Sequence, residues 1–346
     1  MLYKQANVAQ LVEFDEVIDV RSPSEFAEDH IPGAINCPVL DDDERRLVGT
    51  LYKQDSPFAA RRVGAALVAR NIARHIEEKF ADRPKRWKPL IYCWRGGQRS
   101  GSMALIFSQV GWYAHQLDGG YKAYRRDLLE RFDTLPATLD LRVVCGPTGS
   151  GKSRLLGALE RAGRQVLDLE GLARHRGSVL GKLPDAPQPS QKHFDSLLMQ
   201  AMLSLDPARP VYIESESKKI GTVALPQALF DRMHESRCVL VEAPLAERVR
   251  FLLEDYDFYV AEPARLIEQL NCLKALYPKE TLAAWRTLIE GGDFDTLVSL
   301  LLTEHYDPLY RRSMGKHYAH LAQATPLALA TLDDAALDTA ARLLDA

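Results

Sequence analysis

The eight residues Gly146-Pro147-Thr148-Gly149-Ser150-Gly151-Lys152-Ser153 follow an apolar run, Leu141–Cys145, and open a helical pattern at about Lys152. No other feature constrains the fold as much. A glycine-rich turn between a buried strand and a helix belongs to an α/β layer, and it matches the full G-x-x-x-x-G-K-[ST] pattern. Its physics is local. Glycines let the backbone approach a ligand, convergent N–H groups cradle phosphate oxygens, Lys152 adds a point charge, and Ser153 is the position that holds Mg²⁺. The residues expected to bind phosphate are Gly146, Thr148, Gly149, Ser150, Gly151, Lys152 and Ser153. A nucleotide hydrolase also needs an acidic group on a following strand to hold water and Mg²⁺. Asp168, Glu170, Glu214 and Glu216 are the candidates, and none ends an apolar run in the usual way. Glu214 and Glu216, two apart at a strand end, share a face and could hold Mg²⁺, act as bases or simply meet solvent. A nucleotide and another diphosphate both remain open as ligands.

Strand and helix patterns alternate on both sides of residues 131–138, which read as a helix end and a short linker. Strands are predicted at 17–20, 34–37 and 89–92 before it, and at 165–168, 210–213 and 238–241 after it. Between the early strands, Val63, Leu67, Ile72, Ile76 and Phe80 recur at roughly helical spacing. Such alternation implies parallel sheets covered on both faces. Three segments follow: 1–133, a P-loop segment 139–244, and a helical extension 245–346 with no strand signal. Residues 177–190 hold Gly177, Gly181, Pro184, Pro187 and Pro189 and read as a long loop suited to a substrate lid. Arg174, Arg176 and Lys182 follow the second strand of the P-loop segment, where strand ends line a ligand crevice. They suit phosphate groups, including an RNA backbone. His175 and His193 are acid–base candidates.

A second loop has the same logic with a thiol in it. Cys93-Trp94-Arg95-Gly96-Gly97-Gln98-Arg99-Ser100-Gly101 follows the strand 89–92 and precedes a helix expected near Ser102. Its glycines let N–H groups turn inward as an anion nest, and those dipoles, with Arg95 and Arg99, favour a thiolate at Cys93. The other four cysteines, Cys37, Cys145, Cys238 and Cys272, lie in apolar contexts and are expected in the core. Cys37 could resolve an adduct if it faced Cys93. Five scattered cysteines make neither a disulfide framework nor a zinc site.

Motifs on both sides of this loop add up to a resemblance. Asp19-Val20-Arg21-Ser22-Pro23 with Glu25-Phe26, then His30-Ile31-Pro32-Gly33-Ala34-Ile35-Asn36, and finally Leu117-Asp118-Gly119-Gly120-Tyr121-Lys122-Ala123-Tyr124 resemble the rhodanese family in order and spacing over about residues 8–131. In that family the loop cysteine accepts sulfur or selenium as a persulfide-like adduct, a role the resemblance gives to Cys93. Arg99 lies six positions after Cys93, where rhodaneses place the arginine at five. The longer loop is similar to that of rhodanese-like phosphatases, so a phosphorus-containing ligand fits as well.

The fusion of this domain to a P-loop domain resembles the bacterial tRNA 2-selenouridine synthases. The residues that carry this are Cys93-Trp94-Arg95-Gly96-Gly97, Asp168-Leu169-Glu170-Gly171-Leu172-Ala173, His175-Arg176-Gly177-Ser178, Glu214-Ser215-Glu216-Ser217-Lys218 and His305-Tyr306-Asp307-Pro308-Leu309-Tyr310. The fold class implied is α/β, an N-terminal rhodanese-like domain plus a C-terminal P-loop parallel-sheet domain with a helical tail. The activity implied is a two-step change of the wobble uridine in tRNAs for Lys, Glu and Gln. Geranyl diphosphate first alkylates the 2-thio sulfur, and selenophosphate then supplies the selenium. Cys93 would be the selenium-carrying nucleophile, Arg95 and Arg99 would stabilise anions, and the P-loop would hold the diphosphate, with Mg²⁺ at Ser153 or Glu214. No cofactor is expected to be tightly bound. Arg174, Arg176, Lys182 and Trp94 would meet the anticodon loop, Trp94 by stacking unless it merely packs. Leu180, Leu183 and Phe194 are suggested for the geranyl groove. Two other functions fit the same motifs: a nucleotide-dependent kinase or ATPase with a rhodanese-like accessory domain, and a non-enzymatic redox or anion sensor.

Composition narrows the partners. A net charge of −3 excludes a uniformly basic nucleic-acid coat but leaves local patches, Arg83-Pro84-Lys85-Arg86-Trp87-Lys88 and Lys122 with Arg125 and Arg126. No apolar run reaches the roughly 20 residues of a membrane span. The first residues have neither the basic nor the apolar region of a secretion signal, so a cytoplasmic location is expected.

Overall fold

Central strands that are buried on both faces form the middle of two all-parallel sheets, the arrangement expected where helices cover both faces. The computed structural model describes residues 3–344, with 313–317 described as helix backbone. It forms two compact units, one of residues up to Asp133 with Lys192–Gln200, the other of Thr134–Gln191 and residues from Ala201 onward. Among the described residues, no helix is long and apolar enough to cross a membrane.

In the first unit, β1 (Lys4–Ala6), β2 (Glu16–Asp19), β3 (Ile35–Asn36), β4 (Pro89–Tyr92) and β5 (His115–Leu117) lie in the order β1-β5-β4-β2-β3. All neighbours are parallel. The edge strand β1 and its neighbour β5 escape sequence reading, since Lys-Gln-Ala and His-Gln-Leu are short and largely polar. The core stacks Ile18, Ile91, Met103 and Phe107 against Phe80, Trp87 and Trp112. The helix after the cysteine loop runs Gln98–Val110, starting four residues before the expected Ser102.

Register sets up what lies beyond the strands. Asp19 pairs across from Tyr92, so the ends of β2 and β4 emerge side by side. There Arg21, 1% exposed, meets Asp19, which is fully buried. The guanidinium donates from Nε and Nη2 to Asp19 at 2.6–3.0 Å and from Nη2 to the Asp29 carbonyl at 2.6 Å. It also lies 4.0 Å from the Tyr121 ring, whose hydroxyl donates to Asp29. The Asp-Val-Arg and Gly-Gly-Tyr motifs, far apart in the chain, thus close one buried network.

The second unit contains β6 (Leu141–Cys145), β7 (Gln165–Leu167), β8 (Val211–Glu214), β11 (Arg237–Glu242) and β12 (Thr325–Ala328) in the order β12-β11-β6-β8-β7, again all parallel. A hairpin of β9 (Lys219–Ile220) and β10 (Val223–Ala224) stands apart. The P-loop leaves the central strand β6, and the helix Lys152–Arg161 buries Leu155, Leu156 and Leu159 against Val144 and Val241.

Two expectations for the tail need correction. Residues 245–346 are not wholly helical, because β12 adds an edge strand beside β11. Its Thr-Pro-Leu-Ala sequence is mostly exposed, and an edge position tolerates Pro326 because one side of the strand needs no donor. Cys272 is exposed rather than buried. In the turn Asn271–Leu273 the core face is taken by Leu273, which joins Leu270, Trp285, Ile289 and Leu297 in a separate helical cluster.

The buried Asp19–Arg21 pair yields a stability test. Arg21→Met strands a buried carboxylate and is expected to cost about 3–5 kcal/mol, whereas Asp19→Leu combined with Arg21→Met recovers most of that loss. Urea unfolding of the full chain, followed by fluorescence of the buried Trp87 and Trp112, measures both.

Candidate functional site

Each unit carries a glycine-rich loop at the C-terminal end of a central strand. In the first, Cys93 follows β4 and is almost fully buried. Its Sγ accepts hydrogen bonds from the Gly97 N–H at 3.3 Å and from the Ser100 hydroxyl at 3.2 Å. Ser100 is oriented in turn by the Gln116 amide at 2.8 Å, which also donates to the carbonyls of Gly96 and Gly97. Tyr121 and Lys122 close the loop from outside through N–H bonds to the carbonyls of Cys93 and Trp94. Gly120 makes this closure fit: its φ is +55°, and a Cβ there would sit 2.3 Å from the Cys93 carbonyl oxygen.

The arginines are placed differently from one another. Arg99 forms an ion pair with Glu25 at 2.8 Å, and Arg45 reaches the same carboxylate at 3.1 Å. Burial pushes the Glu25 carboxyl up, but the hydrogen bond and charge of Arg99, with help from Ser22 and Arg45, hold it below the usual range. Arg95 is exposed at the loop surface. Trp94 is 36% exposed and tilts against Tyr121 at 5.4 Å, so one part packs and another is open. Ser100 and Gln116 are the groups sequence reasoning missed; Ser100, one turn into the helix behind the loop, was the available signal. Cys37 is a poor resolving thiol here. Burial pushes it up to about 11, and its hydrogen-bond donor is Lys79.

In the second unit the P-loop borders a cleft of about 500 Å³. Lys152 Nζ reaches back to the Gly146 carbonyl at 2.8 Å, within its own loop. Arg248, 5% exposed, donates from Nε and Nη2 to the Thr148 carbonyl at 2.9 and 2.7 Å and makes a bidentate pair with Asp307. Arg176 lines the cleft, paired with Asp255 and lying 5.0 Å from the Tyr256 ring. Arg174 and Lys182 are exposed, and Lys182 bridges to His175 through the backbone. His175 is buried and held toward its neutral form by desolvation. His193 falls in the first unit, 3.5 Å from Asp29.

Of the four acidic candidates, Asp168 caps the helix Leu169–Ala173 through the Gly171 N–H. The other three form a carboxylate cluster beside Ser153. Ser153 Oγ donates to Glu170 at 2.7 Å, and the Glu170 N–H donates to Glu214 at 2.7 Å. Glu214 Oε2 is buried with no hydrogen-bond partner. Desolvation pushes all three carboxyls up, Glu216 to about 8; acidic neighbours add to this, while Ser153 and Lys152 pull Glu170 back. These oxygens fit a hard divalent cation such as Mg²⁺, which relieves the repulsion. Among the described residues no three acidic, histidine or cysteine side chains form a ready metal cage. The ion would therefore rest on Ser153, one or two of these carboxylates, phosphate oxygens and water, the usual habit of Mg²⁺.

Together the two loops define a class: a rhodanese-like cysteine domain fused to a P-loop domain. The family models agree with that division. Residues 4–127 match a rhodanese-like domain, and residues 139–276 match the tRNA 2-selenouridine synthase AAA domain. A tRNA 2-selenouridine synthase of Aeromonas salmonicida is 34% identical over 328 residues, covering 86% of this chain and 87% of that protein. One from Shewanella loihica is 32% identical, covering 87% of each. One from Nitrosomonas europaea is 39% identical over 244 residues, 69% of this chain, and the match spans 63% of that relative's length. The chain belongs to the tRNA 2-selenouridine synthase family.

The carboxylate cluster sets a pH dependence. A carboxyl whose folded-state value lies above its unfolded value stabilises the fold fully below the unfolded value, and loses that contribution as pH rises through the folded one. For Glu216 the window runs from 4.5 to about 8. Stability in urea is expected to fall across that range in metal-free buffer, and Glu216→Gln to flatten the decline. Denaturation midpoints at several pH values test this, and an unchanged slope in Glu216→Gln would contradict it.

Proposed function

We propose that this chain converts 2-thiouridine to 2-selenouridine at the wobble position of tRNA(Lys), tRNA(Glu) and tRNA(Gln), using geranyl diphosphate and then selenophosphate. The observation that carries the proposal is the pairing of two anion nests in one chain of this family. One is closed on a thiol by Gly97 and Ser100, and the other is a complete P-loop with Lys152. Its homologues' names supply the base and the element; the geometry supplies roles for the residues.

In the first step the thiouridine sulfur attacks C1 of geranyl diphosphate. The C–S bond forms, the C–O bond breaks, and diphosphate leaves with the electron pair while the base gives up its N3 proton. The P-loop N–H groups and Lys152 stabilise the charge that accumulates on the leaving group. Mg²⁺ at Ser153, Glu170 and Glu216 would supply further neutralisation of that charge. Alkylation turns a poor leaving sulfur into a departing thiol and makes C2 electrophilic. In the second step selenium from selenophosphate forms the C2–Se bond, geranylthiol departs with a proton, and water takes the phosphoryl group as phosphate. Cys93 is assigned to this step as the thiol of the nest that would hold the selenophosphate anion; it would assist the attack of selenium on C2 without itself bonding to selenium, so the step needs no oxidant. Arg95 is free of ion pairing in the described contacts and suits the incoming anion, whereas Arg99 acts through Glu25.

Recognition of RNA would draw on Arg174 and Lys182 at the surface, Arg176 at the cleft, and the open face of Trp94 for a splayed base. A cytoplasmic site of action follows from the substrate.

Nucleoside mass spectrometry on a 2-thiouridine anticodon stem-loop tests the reading. With geranyl diphosphate and then selenophosphate, the chain is expected to produce the S-geranyl base and then 2-selenouridine. Lys152→Ala should slow the first step by about 10²–10³-fold, the cost of losing one charge-stabilising donor. Cys93→Ala should accumulate the S-geranyl base and stop there. Unmodified RNA, beside a relative's synthase that works, overturns the proposal; ATP hydrolysis in the same samples would favour the kinase or ATPase alternative.

A further inference from the structure

Beside the P-loop lies a second, narrow pocket of about 70 Å³ that shares Thr148, Ser178, Leu252, Tyr256 and Tyr306 with the phosphate cleft. The two spaces adjoin across these shared residues, Thr148 of the loop among them. The pocket's deeper walls come from the helical cluster, including Tyr259, Leu266, Leu297 and Leu301. Of the residues suggested for a geranyl groove, Leu180 lines this space. Leu183 borders neither space, and Phe194 is buried in the first unit.

The hydroxyls around the pocket are already engaged. Tyr259 donates to the Leu180 carbonyl at 3.2 Å. Tyr256 hydrogen-bonds with Ser178, and Tyr306 with Ser178 and the backbone of Leu180. Gln269 holds the neighbouring Val179 carbonyl at 2.9 Å. These bonds fasten the segment 178–180 as a roof, and they leave the tyrosine rings to present carbon to the interior. A nucleobase has polar edges that need partners, and this interior offers it none; a hydrocarbon needs none.

We infer that this pocket seats the hydrocarbon tail of a prenyl diphosphate whose head group lies in the P-loop, and that its walls set the length of chain accepted. The inference rests on the two-step reading above and deepens its first step. Gly149 fixes the junction: at φ +78°, a Cβ there would lie 2.9 Å from Leu252 Cδ1, so head-group loop and tail wall touch directly. The tail therefore leaves the diphosphate between Thr148 and Leu252 and runs toward Leu266 and Val298, which both line the pocket.

Calorimetry on the full chain with inorganic diphosphate and with dimethylallyl, geranyl and farnesyl diphosphates tests this. Each buried CH₂ strengthens binding about fourfold, so affinity should climb from diphosphate through dimethylallyl to geranyl and then level off at farnesyl. Val298→Trp should shift the geranyl-to-dimethylallyl preference at least tenfold toward the short chain. Leu266→Ala should shift preference toward farnesyl. Opposite shifts in two variants cannot come from loss of folding. The inference is overturned if inorganic and geranyl diphosphate bind alike, if neither variant moves the preference, or if Val298→Trp weakens ATP instead. The same variants assayed on 2-thiouridine RNA separate the two claims. Tail-dependent binding without RNA alkylation removes the proposed function and keeps the pocket, whereas alkylation with unmoved preferences removes the pocket and keeps the function.

Discussion

The second unit depends on one buried guanidinium. Arg248 leaves water to hold the Thr148 carbonyl on one side and Asp307 on the other, and a charge buried this deeply is tolerable only when fully paired. Three segments distant in the chain are therefore coupled: the P-loop, the helix Leu245–Asp255 and the helix opening at Asp307. The two bonds to the Thr148 carbonyl fix the P-loop backbone to the helix Leu245–Asp255. The tail thus serves the P-loop as its clamp. Family resemblance in His305-Tyr306-Asp307 acquires a physical reason at the same time, since Asp307 completes the clamp and Tyr306 borders the cleft.

The two loops apply one device at different scales. Both leave the C-terminal end of an interior strand and feed a helix, so backbone N–H groups converge where helix dipoles reinforce them. Around Cys93 the nest is small, and the side-chain donor is a neutral hydroxyl, Ser100, braced by Gln116. A fixed cation nearer the sulfur would hold a bound anion more strongly and release it less readily. Arg99 is drawn off by Glu25, which keeps the nest polar without a permanent counter-ion inside it. The P-loop has a full charge in Lys152, suited to a ligand that carries several negative charges.

What the sequence makes legible is whatever is local. The P-loop and the cysteine loop each lie within nine consecutive residues, so their glycines, lysine and thiol can be read without knowing the fold. The parallel sheets follow from apolar runs long enough to be seen, as in β4, β6 and β8. What stays hidden is set by contacts between distant residues. Arg248 lies 100 positions from Thr148, and nothing around it marks it as a clamp. Gln116 sits on a strand too short and polar to be recognised. Arg99 looks poised for the thiol until the first motif, 74 residues earlier, supplies Glu25. Cys272 lies between Asn271 and Leu273, and only the rotation of that short turn decides that Leu273 and not Cys272 faces inward.

The acidic groups of the second unit weigh the two kinds of P-loop chemistry against each other. Activation of water for nucleotide hydrolysis needs an ionised carboxylate at a strand end, aimed at solvent near the γ-phosphate. Here Asp168 is occupied as a helix cap, and Glu214 is buried behind Glu170. Burial, with the charge of acidic neighbours added to it, pushes Glu170, Glu214 and Glu216 toward their protonated forms, so none is a ready base until a cation arrives. The space next to the P-loop is walled with leucines and tyrosine rings rather than groups that orient water. On the proposed two-step reading, such walls would keep water from the carbon that the diphosphate leaves, so that sulfur rather than solvent reaches it.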